Sequence, residues 1–146
     1  MSSSGHRQVK RVDLQALPTG DAFHHMRTYS TTKLLNILFT TELAHRLANT
    51  AVTANTADPG FVRTALGRDA VGAFRLFLKA ARPFQLSPDQ AATTPVHLAT
   101  SPEVVDVTGG YFVKCRLSNP SDLARDRALA EQLWDLSEKL VTANGQ

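Results

Sequence analysis

The sequence predicts a helix-rich α/β fold, the carboxyl-terminal portion of a doubly wound parallel sheet, and three observations carry that expectation. Residues 29–48 form a long apolar stretch with no Gly or Pro inside it. A short run with β-branched residues follows at 51–56 and stops at Asp58-Pro59-Gly60. A second strand candidate, Tyr111-Phe112-Val113-Lys114-Cys115, is introduced by Gly109-Gly110. Helix, tight link and strand make half of a βαβ unit. Two strands cannot stand alone as a parallel sheet, because parallel pairing needs cover on both faces and several neighbours. The sheet therefore calls for strands that this sequence does not supply.

Each element has a local cause. Residues 1–27 are rich in Ser, Gly, His and basic side chains and read as a loop, closed by the turn signal Pro18-Thr19-Gly20-Asp21. In 29–48, Leu34, Leu35, Ile37, Leu38, Phe39, Leu43, Ala44 and Leu47 predict a long buried helix, broken in polarity only by Glu42, His45 and Arg46. Residues 51–56 predict a buried strand, and 61–66 a short helix. Val71, Phe74, Phe77 and Leu78 share one helical stripe, with Arg75, Lys79 and Arg82 largely off it. Ser87-Pro88-Asp89-Gln90 combines a Ser N-cap, Pro at the first helical position and Gln three residues after the Ser, so a helix to about Thr100 is expected. Leu129, Leu133, Leu136 and Leu140, with Trp134 beside them, predict a final amphipathic helix beginning near Asn119-Pro120-Ser121-Asp122. No internal repeat is visible.

Bulk properties narrow the classes. With 146 residues, 42% of them apolar, the chain holds one domain over 1–146 and not two. The formal charge is +3, and its one basic cluster, His6, Arg7, Lys10 and Arg11, reads as a solvated loop. It lacks a groove-reading helix or an aromatic platform, so no nucleic-acid partner is expected. One cysteine, Cys115, makes no internal disulfide and no structural zinc site, which suits a reducing compartment, and a cytoplasmic location is expected. No apolar signal region follows Met1 and no uninterrupted apolar stretch approaches the ~20 residues of a membrane span. The five histidines include no i, i+4 pair, so no metal is expected.

The chemistry begins at Tyr29-Ser30-Thr31-Thr32-Lys33. Tyr29 and Lys33 stand four apart at the start of the long helix, on one face and one turn apart. A phenol titrates near ~10, and a neighbouring ammonium stabilises its phenolate, so such a hydroxyl can exchange a proton with a substrate near neutral pH. Taken alone, the spacing is common by chance, with Tyr29 as a helix-start aromatic and Lys33 as a solvated side chain. Its setting adds weight: the Pro59-Gly60 turn closes the following strand at its carboxyl end, where open α/β sheets place ligands.

With Ser2-Ser3-Ser4-Gly5-His6, Tyr29 through Thr40, and Asp58-Pro59-Gly60-Phe61-Val62-Arg63-Thr64, nearly the whole chain resembles the second half of a short-chain dehydrogenase/reductase. The likeness is closest to the retinol-dehydrogenase-like and WW-domain-oxidoreductase-like branch. That branch has a long insert between the serine and the tyrosine, as residues 7–28 would be here. It also has a tail like Ala124-Arg125-Asp126 and Leu133-Trp134-Asp135-Leu136-Ser137 after the Tyr111-Phe112 strand.

The resemblance implies a Rossmann-type parallel sheet whose nucleotide-binding strands lie before Met1. It implies NAD(P)-dependent interconversion of an alcohol and a carbonyl, with NADP or NAD as cofactor. Tyr29 would be the general acid/base, and Lys33 would assist it while bonding the nicotinamide ribose. Ser3, aligned as the second serine of a Ser-Ser pair, would orient the carbonyl or alcohol; Ser2 and Ser4 are alternatives in a triple serine. Pro59, Gly60, Val62 and Thr64 would lie against the nicotinamide. Asp58 departs from the His or Asn usual before Pro-Gly. Residues 71–84 would be a mobile lid over a small apolar substrate, the alternative being a helix lying on a membrane surface.

None of the eight glycines forms a GxGxxG or GxxxGxG turn, so a pyrophosphate cradle is not expected in this sequence. The chain is accordingly expected to be the catalytic and substrate-lid half of such a domain, inactive or impaired by itself. A truncated reading frame, a gene fragment, or a start lying upstream would each account for it. The rival expectation is a catalytically silent structural or interaction fragment, forming a homo-oligomer or pairing through an exposed sheet edge.

Overall fold

The structure is a computed structural model, and it describes residues 1–17, 24–62, 81, 83 and 85–144. Helix α1 (His25–Arg46) is the axis of the molecule. Strand β1 (Thr56–Asp58), helix α2 (Pro88–Thr100), strands β2 (Tyr111–Val113) and β3 (Arg116–Ser118), and helix α3 (Arg127–Asn144) follow. Short 3-10 turns at Ser4–Gln8, Pro102–Val104 and Leu123–Arg125 join them.

The predicted long helix forms, but it begins at His25, four residues before Tyr29. No Ser, Thr or Asp announces that start; the His24 ring accepts weakly from the Arg27 amide at 3.5 Å instead. Leu34 and Leu38 are fully buried and Ile37 nearly so. They meet Leu14, Tyr111, Ala124, Ala130 and Leu133 in one core between α1, β2 and α3. The α1–α3 seam also carries charge. Glu42, 3% exposed, accepts a hydrogen bond from Arg46 Nε at 2.8 Å and pairs with Arg127 Nε at 3.3 Å. The Arg46 guanidinium lies 4.6 Å over the Trp134 ring, which stacks on Phe39 at 5.1 Å.

The sheet is mixed and three-stranded, in the order β1-β2-β3. β1 and β2 are parallel, with Thr56 opposite Tyr111 and Asp58 opposite Val113, and β2 and β3 form an antiparallel hairpin. Two sequence expectations need correction. The strand read at 51–56 occupies Thr56–Asp58, because the preceding residues serve the neighbouring turn: the Asn55 carboxamide donates to Val107 O and accepts from the Gly110 amide. Asp58, read as part of the turn, is a strand residue. The strand read at 111–115 occupies Tyr111–Val113, and the chain reverses at Lys114 and Cys115, both at positive φ, to make the unforeseen β3. Such a two-residue reversal ordinarily signals itself with Asn-Gly or Gly. Here the buried Thr94 hydroxyl of α2 accepts from the Cys115 amide at 3.1 Å and holds it. At Gly110 a side chain would meet Phe112 Cε2 at 2.5 Å, so only glycine fits.

The capping box at the head of α2 is present in full: the Gln90 amide donates to Ser87 Oγ at 3.2 Å, and the Ser87 amide donates to Gln90 Oε1 at 2.9 Å. The last helix starts at Arg127, later than expected, because Leu123–Arg125 first form a 3-10 turn. Residues 1–27 are not all loop: besides the first residues of α1 they contain the turn Ser4–Gln8. The turn read at Pro18-Thr19-Gly20-Asp21, most of the short helix at 61–66, and the stripe of Val71, Phe74, Phe77 and Leu78 lie outside the described residues. Among the described residues no helix is long and apolar enough to cross a membrane.

Candidate active site

Four chain segments meet near the head of α1. The entering chain runs along β1, where the Ser2 amide donates to Ala57 O at 2.8 Å. Ser2 Oγ turns inward and donates to Lys33 O at 2.8 Å, and the residue is 2% exposed. That bond occupies Ser2 with joining the entry segment to α1. Ser3 is half-buried; its Oγ accepts from the Gly5 amide at 3.2 Å, which leaves the hydroxyl proton available to an outside acceptor. Ser4 is exposed.

Tyr29 and Lys33 share a face of α1, as their spacing requires. Lys33 Nζ lies 5.3 Å from the centre of the Tyr29 ring, and Tyr29 is 37% exposed. Gly5 joins the pair to Ser3. A methyl group placed on Gly5 would meet Tyr29 Cε1 at 3.4 Å, Ser30 Oγ at 3.5 Å and Ser3 Oγ at 3.6 Å, so these side chains flank one point. Ser3, Tyr29 and Lys33 are thus brought together from positions up to thirty apart in the sequence. Among the described residues Lys33 has no carboxylate within ion-pair distance, and its charge is not spent on one.

Pro59 and Gly60 close β1 at its carboxyl end. Gly60 has φ +79°, a conformation glycine adopts without strain, and a side chain there would meet Leu86 at 3.0 Å. Val62 is half-buried and bridges Leu86. Thr64 lies outside the described residues. Beside this turn is a buried polar group that sequence reasoning missed. Asp58, 3% exposed, accepts the Tyr111 hydroxyl at 2.7 Å on Oδ2 and the Gly60 amide at 2.8 Å on Oδ1. The departure at Asp58 is therefore matched by a tyrosine donor on the neighbouring strand. Burial first, then the Asp58 carboxylate, push the Tyr111 hydroxyl far above its ordinary range.

The edge of the Tyr111 ring is met by His6, with centroids 5.2 Å apart and planes at 72°. His6 is fully buried; Nδ1 lies 2.7 Å from Ser3 O, and Nε2 accepts from the Ser121 amide at 3.0 Å. Desolvation lowers its pKa below the ordinary 6.5, the Ser3 bond offsetting part of that effect. Surface hollows near Phe39, Trp134 and Val141 lie along α3, and Tyr29, Lys33 and Ser3 line none of them.

Fold and side chains define a class: part of a doubly wound α/β protein, with an exposed tyrosine and a lysine stacked on its ring near a helix head, and a Pro-Gly turn at the carboxyl end of a parallel strand. No family model matches the chain. Retinol dehydrogenase 14 of Mus musculus is 40% identical over 133 residues, covering 89% of this chain and 40% of that protein. The WW domain-containing oxidoreductase of Homo sapiens is 35% identical over 148 residues, covering 97% and 36%. A short-chain dehydrogenase of Brassica napus, TIC 32 A, chloroplastic, is 38% identical over 125 residues, covering 83% and 38%. In structure the chain is similar to an uncharacterized protein from Mycobacterium paratuberculosis, with a TM-score of 0.70 and 26% identity over 97% of this chain and 48% of the other. These relatives, similar to the chain over most of its length, are short-chain dehydrogenases/reductases, among them a retinol dehydrogenase and a WW domain-containing oxidoreductase. It spans about 40% of the length of the curated relatives it matches.

Proposed function

We propose that this chain carries the proton-transfer half of an NAD(P)-dependent oxidoreductase that interconverts an alcohol and a carbonyl. The observation that carries the proposal is the Lys33 ammonium 5.3 Å from the ring of an exposed Tyr29, with the Ser3 hydroxyl at the same point. Tyr29 donates a proton to the carbonyl oxygen in reduction and takes it back in oxidation. Lys33 sets its positive charge beside the phenol that gives up and regains the proton. Ser3 donates its free hydroxyl proton to the substrate oxygen and fixes its orientation. The cofactor supplies or accepts the hydride when bound. Lys33 would hold its ribose, and Pro59, Gly60, Val62 and Thr64 would border its nicotinamide. Gly60 itself brings no side chain to that corner, which Leu86 flanks.

The substrate class is a small apolar alcohol or carbonyl compound, in keeping with the apolar side chains Val71, Phe74, Phe77 and Leu78 in the sequence. The test uses a chimera with the amino-terminal portion of mouse retinol dehydrogenase 14 placed ahead of this chain, followed by absorbance of the reduced cofactor. Tyr29→Phe should lower turnover about 10²–10⁴-fold with cofactor affinity nearly unchanged. A variant as fast as its parent would refute the role of Tyr29.

A further inference from the structure

The hydrogen bonds around His6 join two parts of the candidate site that the sequence keeps far apart. A backbone amide only donates, so the 3.0 Å bond from the Ser121 amide requires a lone pair on His6 Nε2. In the neutral ring the proton must then sit on Nδ1, from which it is donated to Ser3 O at 2.7 Å. Ser3 O also accepts the His6 amide at 3.0 Å, so the main chain carrying the Ser3 hydroxyl is gripped twice by one residue. On its other side the ring packs edge-on against Tyr111, whose hydroxyl ends on the carboxylate that holds the Gly60 amide.

We propose that His6, in its neutral Nδ1–H form, is the positioning residue of the candidate site, setting the Ser3 main chain and the Gly60 turn as one unit through the buried Tyr111 and Asp58. The inference rests on the oxidoreductase reading only in naming those two places as parts of a site. His6 touches neither the substrate position nor Tyr29; it acts through Ser3 and through Tyr111. The groups that face it are Arg7 beside it in the 3-10 turn, Asp58 on β1 and Tyr111 on β2. A second proton on Nε2 would abolish the acceptor that Ser121 uses, and the loop at Ser121 would have to part from the ring. Acid therefore unlocks the unit at a single atom.

Nuclear magnetic resonance of the 15N-labelled 146-residue chain tests this without any variant. At pH 7.5 the long-range imidazole spectrum should show His6 with a protonated Nδ1 and an unprotonated Nε2. On lowering the pH, the Ser121, Gly5 and Gly60 amides and the Tyr29 ring should shift together, with the His6 midpoint below 6.5. His6→Asn, whose amide nitrogen can replace Nδ1, should keep the Gly5 and Tyr29 signals near their parent positions while moving Ser121. His6→Phe should move all of them. An Nε2–H ring, or a titration that moves Ser121 and leaves Gly5, Tyr29 and Gly60 unmoved, overturns the proposal. Because these signals need no turnover, a chimera indifferent to Tyr29 would sink the proposed reaction and leave this unit standing.

Discussion

At the scale of single residues, the buried polar groups matter more than the count of apolar ones. Tyr111→Phe would remove one hydroxyl from a carboxylate that is 3% exposed, leaving Asp58 Oδ2 without its donor. A loss of about 1.5–3 kcal/mol is expected in urea denaturation, the usual worth of a hydrogen bond to a charged group. His6 gives stability a pH dependence. Its folded value is lowered, so the unfolded chain binds the proton first as the solution is acidified. The contribution is complete above 6.5 and is lost as pH falls from there through the lowered folded value. Tyr111 works at the other end: its folded value is raised, so stability drains away as pH rises above 10. Urea midpoints measured from pH 5 to 8 should fall on the acid side for the native chain and flatten in His6→Asn. Little of this was legible in the sequence. A histidine between Gly5 and Arg7 reads as part of a solvated basic loop, and its amide donor, Ser121, is 115 positions away. Asp58 read as a turn residue because a carboxylate in a three-residue buried strand needs donors that only the folded neighbours reveal.

At the scale of elements, the sequence was clearest where one local cause suffices. The apolar run in α1 and the Ser87–Gln90 capping box are both present as read. The shared face of Tyr29 and Lys33 follows from helical geometry alone. The β2–β3 hairpin went unread because Lys114 and Cys115 take positive φ with no Gly or Asn, and the tertiary bond from Thr94 compensates. The α1–α3 seam has its own prediction. Glu42 is nearly buried while Arg46 and Arg127 keep 39% and 48% side-chain exposure, so removing the carboxylate leaves cations that water can still solvate. Glu42→Ala should therefore cost about 1–3 kcal/mol, below the range for stranding a fully buried partner. Thermal unfolding with and without 0.5 M salt checks it, and the difference should shrink only partly with salt, since Glu42 itself is shielded from ions.

At the scale of the molecule, the core beneath α1 holds the helix head with Tyr29 and Lys33 beside the serine loop, and the Pro-Gly corner closes β1. The general outline of this arrangement was readable because the family motifs stand in order along the chain. The curated relatives that the chain matches are more than twice as long. The claim on which everything turns is that Tyr29 and Lys33 act as one unit. A double-mutant cycle on kcat in the retinol dehydrogenase chimera measures this directly, with Tyr29→Phe, Lys33→Met and the two combined. If the ammonium works through the phenol, the double variant should be little slower than Tyr29→Phe alone. Losses that simply multiply, or a Lys33→Met protein that turns over at the parent rate, would contradict it.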